Sequence, residues 1–203
     1  MINANLFPEA AAYVSRLHDG LDSHPHCQVK GSVVREVATA FDATLTAQLP
    51  PTLRSIIESP PPVSTWIAEV PFNALVLVQS DHTIRRTGRK NAMHEVAFEA
   101  SKALLSTPLY KILFLVVSPE RLVSGVDKRW AALRRGTFIE LVDHSRERAR
   151  LRVHYPPHHY TETLLSIRAQ SIRAALVCAG AKDPSVNVEA REDESSDFVC
   201  RWR

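Results

Sequence analysis

The sequence contains little glycine and little net charge, and each shortage argues against a class of protein. Only six glycines occur in 203 residues, so a glycine-rich loop that holds phosphates with its backbone amides is not expected. Neither a Gly-x-Ser-x-Gly turn nor a His-Glu-x-x-His helix occurs. The net charge of +3 is too small to indicate nucleic-acid binding by itself. The composition therefore favours neither a nucleotide-dependent enzyme nor a nucleic-acid-binding protein.

Cysteines and long apolar runs are also scarce. The three cysteines, Cys27, Cys178 and Cys200, contain no Cys-x-x-Cys pair and are odd in number, which argues against a disulfide framework and a zinc site. The start, MINANLFPEA, lacks the basic and apolar regions of a signal peptide. The apolar run at residues 112–117 is much shorter than the roughly 20 residues that span a membrane. We expect a reduced, cytoplasmic protein that does not enter a membrane.

One long helix is predicted between Tyr160 and Gly180. Apolar residues recur along it at helical spacing, and Gly180 follows the last of them, as expected for a glycine that ends a helix. Arg168 projects from the middle of this apolar face, where a guanidinium needs a carboxylate, a bound anion or a route to the surface. The predicted apolar face comprises Leu164, Leu165, Ile172, Ala175, Leu176 and Ala179.

Two different periodicities divide the chain. Helical spacing dominates residues 1–136, where prolines and capping residues separate successive helices. The predicted helices include one from Ser32 to residue 49, one from Pro108 to residue 117, and one that begins after Ser118 and ends at Gly136. Apolar and polar residues then alternate on both sides of a charged turn at residues 144–147, which predicts a β-hairpin. Two further strands are predicted around Val186 and Phe198. We therefore predict one α+β domain over residues 1–203, in which a helical N-terminal half precedes a β-β-α-β-β unit, at residues 137–203, with a four-stranded antiparallel sheet.

Several segments resemble a known superfamily. The hairpin ends in RVHYPPHHY, the long helix ends in CAG, and the last two strands read VNVEAR and DFVCRW. This order resembles the ligand-binding fold of heme–nitric-oxide-binding and 4-vinyl-reductase-like domains. It is closer still to a myxobacterial family catalogued only as a domain of unknown function, which also has KGSVVRE-like and STWIAEVPFNAL-like segments. The resemblance begins near residue 29 and implies a sensor-like fold with a cavity between the helices and the sheet.

The resemblance does not extend to heme binding. Heme-binding members hold the heme propionates with a Tyr-x-Ser-x-Arg motif, and the nearest match here, Tyr155 to His159, lacks both the serine and the arginine. His94, on a helix before the sheet, is the residue that could act as a proximal ligand. A lone helical histidine is more often a surface or capping residue. We expect no cofactor.

Two groups of histidines could be considered as metal sites. His154, His158 and His159 form one group, and residues 24–27 (HPHC) form the other. Imidazole and thiolate are ligands for zinc, but neither group contains an acidic or further cysteine ligand at a suitable spacing. Both groups are more simply explained as exposed loop side chains, and we expect no metal.

Alternating arginines are predicted on one face of the second hairpin strand. Arg148, Arg150 and Arg152 could bind phosphates or an acidic partner. They could instead form ion pairs with Glu140 and neighbouring carboxylates. Aromatic residues suited to base stacking are not interleaved with them, which again argues against nucleic acid.

These observations favour a non-enzymatic sensor or binding module. We expect it to recognise a small apolar or weakly acidic ligand in a pocket between helices and sheet. The alternative is a protein–protein interaction or scaffold domain whose cavity is filled by side chains, and a homodimer is compatible with either. An enzyme with a site that the sequence hides is the third hypothesis. The candidate ligand-binding residues are Trp66, His94, Phe98, Phe114, Trp130 and Arg168.

Overall fold

The computed structural model describes residues 1–114 and 118–203, with the side chains of residues 112–114 and 190 excepted. The chain divides into two compact units. The first contains Met1–Met93, Arg134–Gly136 and His158–Leu164, and the second contains His94–Leu133, Thr137–Pro157 and Leu165–Arg203. Each unit thus draws on three separate stretches of sequence. The expectation that residues 1–203 form a single domain stays a prediction.

The first unit is built around one long helix. Its helices are α1 (Pro8–Ser15), α2 (Gly31–Ala38), α3 (Ala43–Ala47), α4 (Pro51–Glu58) and α5 (Glu69–Thr87). Every residue from 69 to 80 of α5 is buried, the polar residues Glu69 and Asn73 included. Gly88 ends α5 in the left-handed conformation. No helix in the described part of the chain is long and apolar enough to cross a membrane.

One predicted helix is in fact two separate helices. We predicted one helix from Ser32 to residue 49, but α2 begins at Gly31 and ends at Ala38. A new helix begins after Asp42, whose carboxylate accepts a hydrogen bond from the backbone N–H of Leu45 at 2.7 Å. The aspartate therefore acts as an N-cap in a stretch where apolar spacing alone suggested continuity.

A small antiparallel sheet completes the first unit and was not predicted. Its strands are β1 (Gln28–Lys30), β2 (Trp66–Ala68) and β3 (Arg134–Arg135), in the order β2-β1-β3. Strands of two or three residues are too short to produce a visible alternation of polar and apolar residues. Gly136 follows β3 with φ +74°, and a Cβ atom there would lie 2.4 Å from the backbone oxygen of His26.

The second unit contains five helices among the residues described. They are α6 (Ala92–Leu105, whose first two residues belong to the first unit), α7 (Pro108–Phe114), α8 (Pro119–Ser124), α9 (Val126–Ala131) and α10 (Glu162–Cys178, whose first three residues belong to the first unit). We predicted α8 and α9 as one helix running to Gly136. The helix is interrupted at Gly125, and residues 134 and 135 instead pair with β1. The predicted extension of α7 to residue 117 lies outside the residues described.

The four-stranded sheet confirms the predicted α+β fold. Its strands are β4 (Phe138–Ser145), β5 (Arg148–His154), β6 (Ser185–Arg191) and β7 (Ser195–Arg201), all antiparallel, in the order β4-β5-β7-β6. With α10 between the hairpins, the order β-β-α-β-β is as predicted. Alternate residues on one face are buried, among them Ile139, Ala149, Leu151, Val153, Phe198 and Cys200.

The other face of this sheet carries ion pairs. The guanidinium of Arg152 contacts both carboxylate oxygens of Asp197, at 2.6 and 3.0 Å. Arg150 contacts Asp197 at 3.1 Å and Glu189 at 3.1 Å. The hydrogen bond from Arg152 is the main reason that the pKa of Asp197 lies below its ordinary value, although burial opposes this shift. Two of the three alternating arginines therefore bind carboxylates of the same sheet.

Candidate functional site

Arg168 lies on α10 in the second unit and is 7% exposed. Its neighbours Leu165 and Ala169 are also buried, so the apolar spacing of the helix places the arginine among hydrophobic residues. The guanidinium carbon lies 5.4 Å from the ring centre of Trp130, within the range of a cation–π interaction. Two of the predicted ligand-binding residues are therefore in contact.

Trp130 is held in a defined orientation. The indole is 9% exposed, and its N–H donates to the backbone oxygen and the hydroxyl of Thr137, both at 3.2 Å. A buried indole needs such a partner for its N–H. These hydrogen bonds fix the indole beside the start of β4, where its ring contacts the guanidinium of Arg168.

His94 and Phe98 lie on α6 and meet α10 at other positions. The Nε2 atom of His94 lies 3.3 Å from the hydroxyl of Ser166. The guanidinium of Arg173 lies 4.5 Å from the ring centre of Phe98. Ser166 and Arg173 belong to the α10 face that the helical periodicity placed opposite the apolar one, and both are half-buried against α6.

The structure does not test the remaining two predicted residues. Trp66 belongs to the first unit, where it lies in β2. Phe114 is the last residue of α7, and its side chain is outside the part of the chain that the structure describes. Their participation in ligand binding stays a prediction.

The first unit contains a buried polar cluster that the sequence did not reveal. Glu69, the first residue of α5, is fully buried. Its Oε1 atom accepts hydrogen bonds from the Nε of Arg134 at 2.9 Å and from the hydroxyl of Tyr160 at 3.0 Å. Its Oε2 atom lies 3.4 Å from the Nε2 of His159, which is also fully buried. We call these four residues the Glu69 cluster.

The carboxylate of this cluster is charged. Burial alone would raise the pKa of Glu69, but the charge of Arg134 and the hydrogen bonds from His159 and Tyr160 outweigh it, so the pKa lies below its ordinary value. The pKa of the nearby Cys27 thiol is shifted in the opposite direction. Burial, followed by the charge of Glu69, raises the pKa of the Cys27 thiol to about 12. The thiol stays protonated and is not an activated nucleophile.

Further buried groups hold His159 in place. The hydroxyl of Tyr13 donates to the backbone oxygen of His159 at 3.1 Å, and the side-chain amide of Asn73 donates to the same oxygen at 3.3 Å. The ring of His24 packs edge-on against that of His159, with ring centres 5.6 Å apart. These three contacts to His159 come from three different segments of the first unit.

A carboxylate, a histidine and a tyrosine could in principle move protons. In the Glu69 cluster, the histidine and the tyrosine are hydrogen-bonded to the carboxylate. Neither Glu69 nor His159 has any exposed surface. We therefore assign the cluster a structural role. No local motif predicts it, because the partners of Glu69 are 65, 90 and 91 residues away. The one available signal was an acidic residue directly before the apolar run at 70–78.

The predicted histidine group does not converge. His154 lies 3.0 Å from a carboxylate oxygen of Glu140, whereas His158 is exposed and His159 is buried in the Glu69 cluster. Within the described residues, no three histidine, cysteine or acidic side chains are placed to hold a metal ion.

The residues present also do not fit heme. The hydroxyl of Tyr155 donates to the backbone oxygen of Ser195 at 2.9 Å and lies 2.6 Å from the hydroxyl of Ser196. The hydroxyl of Tyr155 is therefore hydrogen-bonded to residues of the sheet. The Nε2 atom of His94, the proximal candidate, faces Ser166. Since the motif's serine and arginine are also missing, neither end of a heme site is formed.

Solved structures share this fold. An unliganded Fe(II) H-NOX protein from K. algicida has a TM-score of 0.56 and 10% identity, covering 86% of this chain and 96% of that chain. A variant of that protein has a TM-score of 0.58 and 8% identity over the same shares. An oxygen-binding H-NOX domain related to soluble guanylate cyclases, in its oxygen complex, has a TM-score of 0.53 and 8% identity, covering 85% and 92%. At these identities, the likeness shows the fold alone.

Sequence comparison gives a narrower result. No curated protein sequence matches the chain. A family model described as "Protein of unknown function (DUF2378)" matches residues 30–203, close to the extent that the segment resemblances predicted. The chain therefore belongs to this family of unknown function, and its fold is that of H-NOX domains.

Proposed function

We propose that the protein is a non-enzymatic, sensor-like module that binds a small, largely apolar ligand carrying an acidic group. The supporting observation is the guanidinium of Arg168, 7% exposed, placed beside the ring of the buried Trp130. The H-NOX-like fold supports the same class of module by analogy. We place the protein in the cytoplasm.

The chemistry of the two side chains specifies the ligand class. A guanidinium presents five N–H donors that match a carboxylate or phosphate, and its charge is felt more strongly in an apolar environment than in water. The indole offers a large apolar surface. Together they suit a ligand with one anionic end and an apolar body. His94 and Phe98 contact the other side of α10, so their part in ligand binding stays a prediction.

Native mass spectrometry of freshly purified protein tests this proposal. The wild type should retain a ligand mass, and Arg168→Leu should lose it while melting only slightly lower. Arg173→Leu is the matched control, because Arg173 also lies on α10 with its guanidinium against an aromatic ring. Ligand retention that is equal in both variants, or absent in the wild type, would contradict the proposal.

Protein–protein interaction is the second candidate function. Phe138 and Val142, 58% and 44% exposed, both lie on β4, the edge strand of the four-stranded sheet. Exposed apolar residues on an edge strand favour association. The same mass spectra report subunit number. A dimer that Phe138→Ser converts to a monomer would support this function, and a wild type that remains monomeric at high concentration would contradict self-association.

A further inference from the structure

The three-stranded sheet of the first unit has two chemically different faces. Lys30 in β1 is directly opposite Trp66 in β2, and Gln28 in β1 is opposite both Ala68 and Arg135. Because directly opposite residues share a face of a sheet, these side chains lie on one side. We call the side formed by Gln28, Lys30, Trp66, Ala68 and Arg135 the Trp66 face. The other side carries Val29, Ile67 and Arg134.

Two cations of the Trp66 face converge on one indole. The ammonium nitrogen of Lys30 lies 4.4 Å from the ring centre of Trp66, and the guanidinium carbon of Arg135 lies 4.1 Å from it. Lys30 and Trp66 are half-buried and Arg135 is exposed. Neither cation forms an ion pair with a carboxylate among the residues described. Two positive charges thus contact the same indole ring.

This arrangement favours an anionic partner. Each cation is attracted to the indole, but the two cations repel each other, so an anion that contacts both relieves the repulsion. Arg134, the neighbour of Arg135, shows the contrasting case, because its charge is already matched by Glu69. Tryptophan and arginine are also the residue types most enriched at the centres of protein interfaces.

The shape of the surface favours a polypeptide over a small molecule. Small ligands bind in concave pockets, whereas these side chains stand on one face of a three-stranded sheet. The cations also cover the indole, which leaves little of the ring for stacking with a nucleobase. We propose that the Trp66 face docks an acidic segment of a partner protein, with its carboxylates bound by Lys30 and Arg135.

Intrinsic fluorescence tests the docking proposal, because Trp66 is the half-buried tryptophan whereas Trp130 and Trp202 are buried, at 9% and 5% exposed. Titration with a hexaglutamate peptide should change the emission saturably, and hexalysine should not. Trp66→Phe should remove the signal. The apparent affinity should also fall steeply as sodium chloride is raised.

Charge variants identify the residues that bind. Lys30→Met and Arg135→Gln should each weaken hexaglutamate binding about three-fold, and the double variant about ten-fold, as expected for exposed charge pairs. Lys90→Met, at an exposed lysine of the same unit, is the control and should bind like the wild type. Equal binding by the double variant, or no saturable binding by the wild type, would overturn the proposal.

Two further outcomes would also overturn the docking proposal, because each would identify a different occupant of the Trp66 face. Saturation of the same signal by inorganic phosphate, without a response to the peptide, would indicate a site for a small anion. A signal that appears on concentrating the protein alone would indicate a second copy of the chain. In that case, neutralising the exposed acidic turn at Glu192, Asp193 and Glu194 should abolish it.

Discussion

Arg134 and Arg135 are adjacent in sequence, yet their side chains lie in different environments. They alternate across β3, so Arg134 enters the interior of the first unit and binds Glu69, while Arg135 lies on the surface beside Trp66. At the first position an arginine neutralises a buried carboxylate. At the second it contributes an exposed positive charge. A substitution at either residue should therefore affect a different property of the protein.

Breaking the buried pair should strongly destabilise the protein. Arg134→Met leaves the charge of Glu69 buried without its main counter-ion, and we expect a loss of about 3–5 kcal/mol in the free energy of unfolding. Adding Glu69→Gln removes that charge and should restore much of the loss. Urea denaturation of the two single variants and the double variant measures this coupling. Strictly additive effects would show that the pair is not an energetic unit.

At Gly136, a single added methyl group should strongly destabilise the protein, because a positive φ and a close backbone contact coincide there. Its φ of +74° costs an alanine about 1–2 kcal/mol, and the new Cβ would also collide with the backbone of His26. Gly180 is the control, because its φ is +87° but a Cβ atom added there would meet no other atom within 4 Å. Gly136→Ala should lower the melting temperature clearly more than Gly180→Ala. Equal shifts would mean that the contact with residue 26 relaxes freely.

Among the elements, β5 and β7 are joined by charge as well as by backbone hydrogen bonds. Asp197 in β7 is 3% exposed and accepts hydrogen bonds from Arg150 and Arg152 in β5. These contacts lie on the sheet face opposite the apolar core. The pairing of the two strands should accordingly depend on pH.

We expect Asp197 to stabilise the protein at neutral pH and to lose this effect in acid. Its pKa in the folded state is lowered, so the stabilisation is complete above the unfolded pKa of about 3.9 and is lost as the pH falls through the lower folded value. Asp197→Asn should cost about 1.5–3 kcal/mol at pH 7 and much less near pH 2. Thermal melts across this range, compared with Asp193→Asn in the exposed turn, measure the difference. A cost that does not change with pH would contradict this assignment.

Length determined which elements could be predicted. Strands β4 and β5, with eight and seven residues, show enough alternation to be recognised, and α10 shows enough helical turns. Strands β1, β2 and β3 have three residues or fewer, and long-range pairing defines them. The end of the helix predicted to run to Gly136 was missed for a similar reason, because residues 134 and 135 pair with β1.

At the scale of the whole molecule, fold and site were predictable to different degrees. The α+β order followed from local periodicity. Arg168 and Trp130, both singled out from the sequence, are in contact, and ligand binding by them stays a prediction. The Glu69 cluster could not be predicted, since a single sequence does not indicate which residues 65 to 91 positions apart will meet. Trp66 lies in the first unit, and its part in ligand binding stays a prediction.

We expect the purified protein to carry no heme despite its H-NOX-like fold. Tyr155 is engaged by Ser195 and Ser196, and no serine and arginine follow it at the spacing of the propionate motif. The absorption spectrum should show no Soret band, even after growth with added heme precursor. Titration with hemin in vitro should give only weak binding that His94→Ala does not change. A stoichiometric Soret band in the purified protein would contradict this prediction.

The interleaved composition of the two units has a practical consequence for dissecting the protein. The first unit needs residues 134–136 and 158–164, and the second includes residues 94–133. No single cut in the gene therefore releases either unit intact. An N-terminal fragment ending before residue 158 would lack His159 and Tyr160, leaving Glu69 with only part of its cluster. During synthesis on the ribosome, the N-terminal helices must likewise wait for the last third of the chain before their polar centre can close.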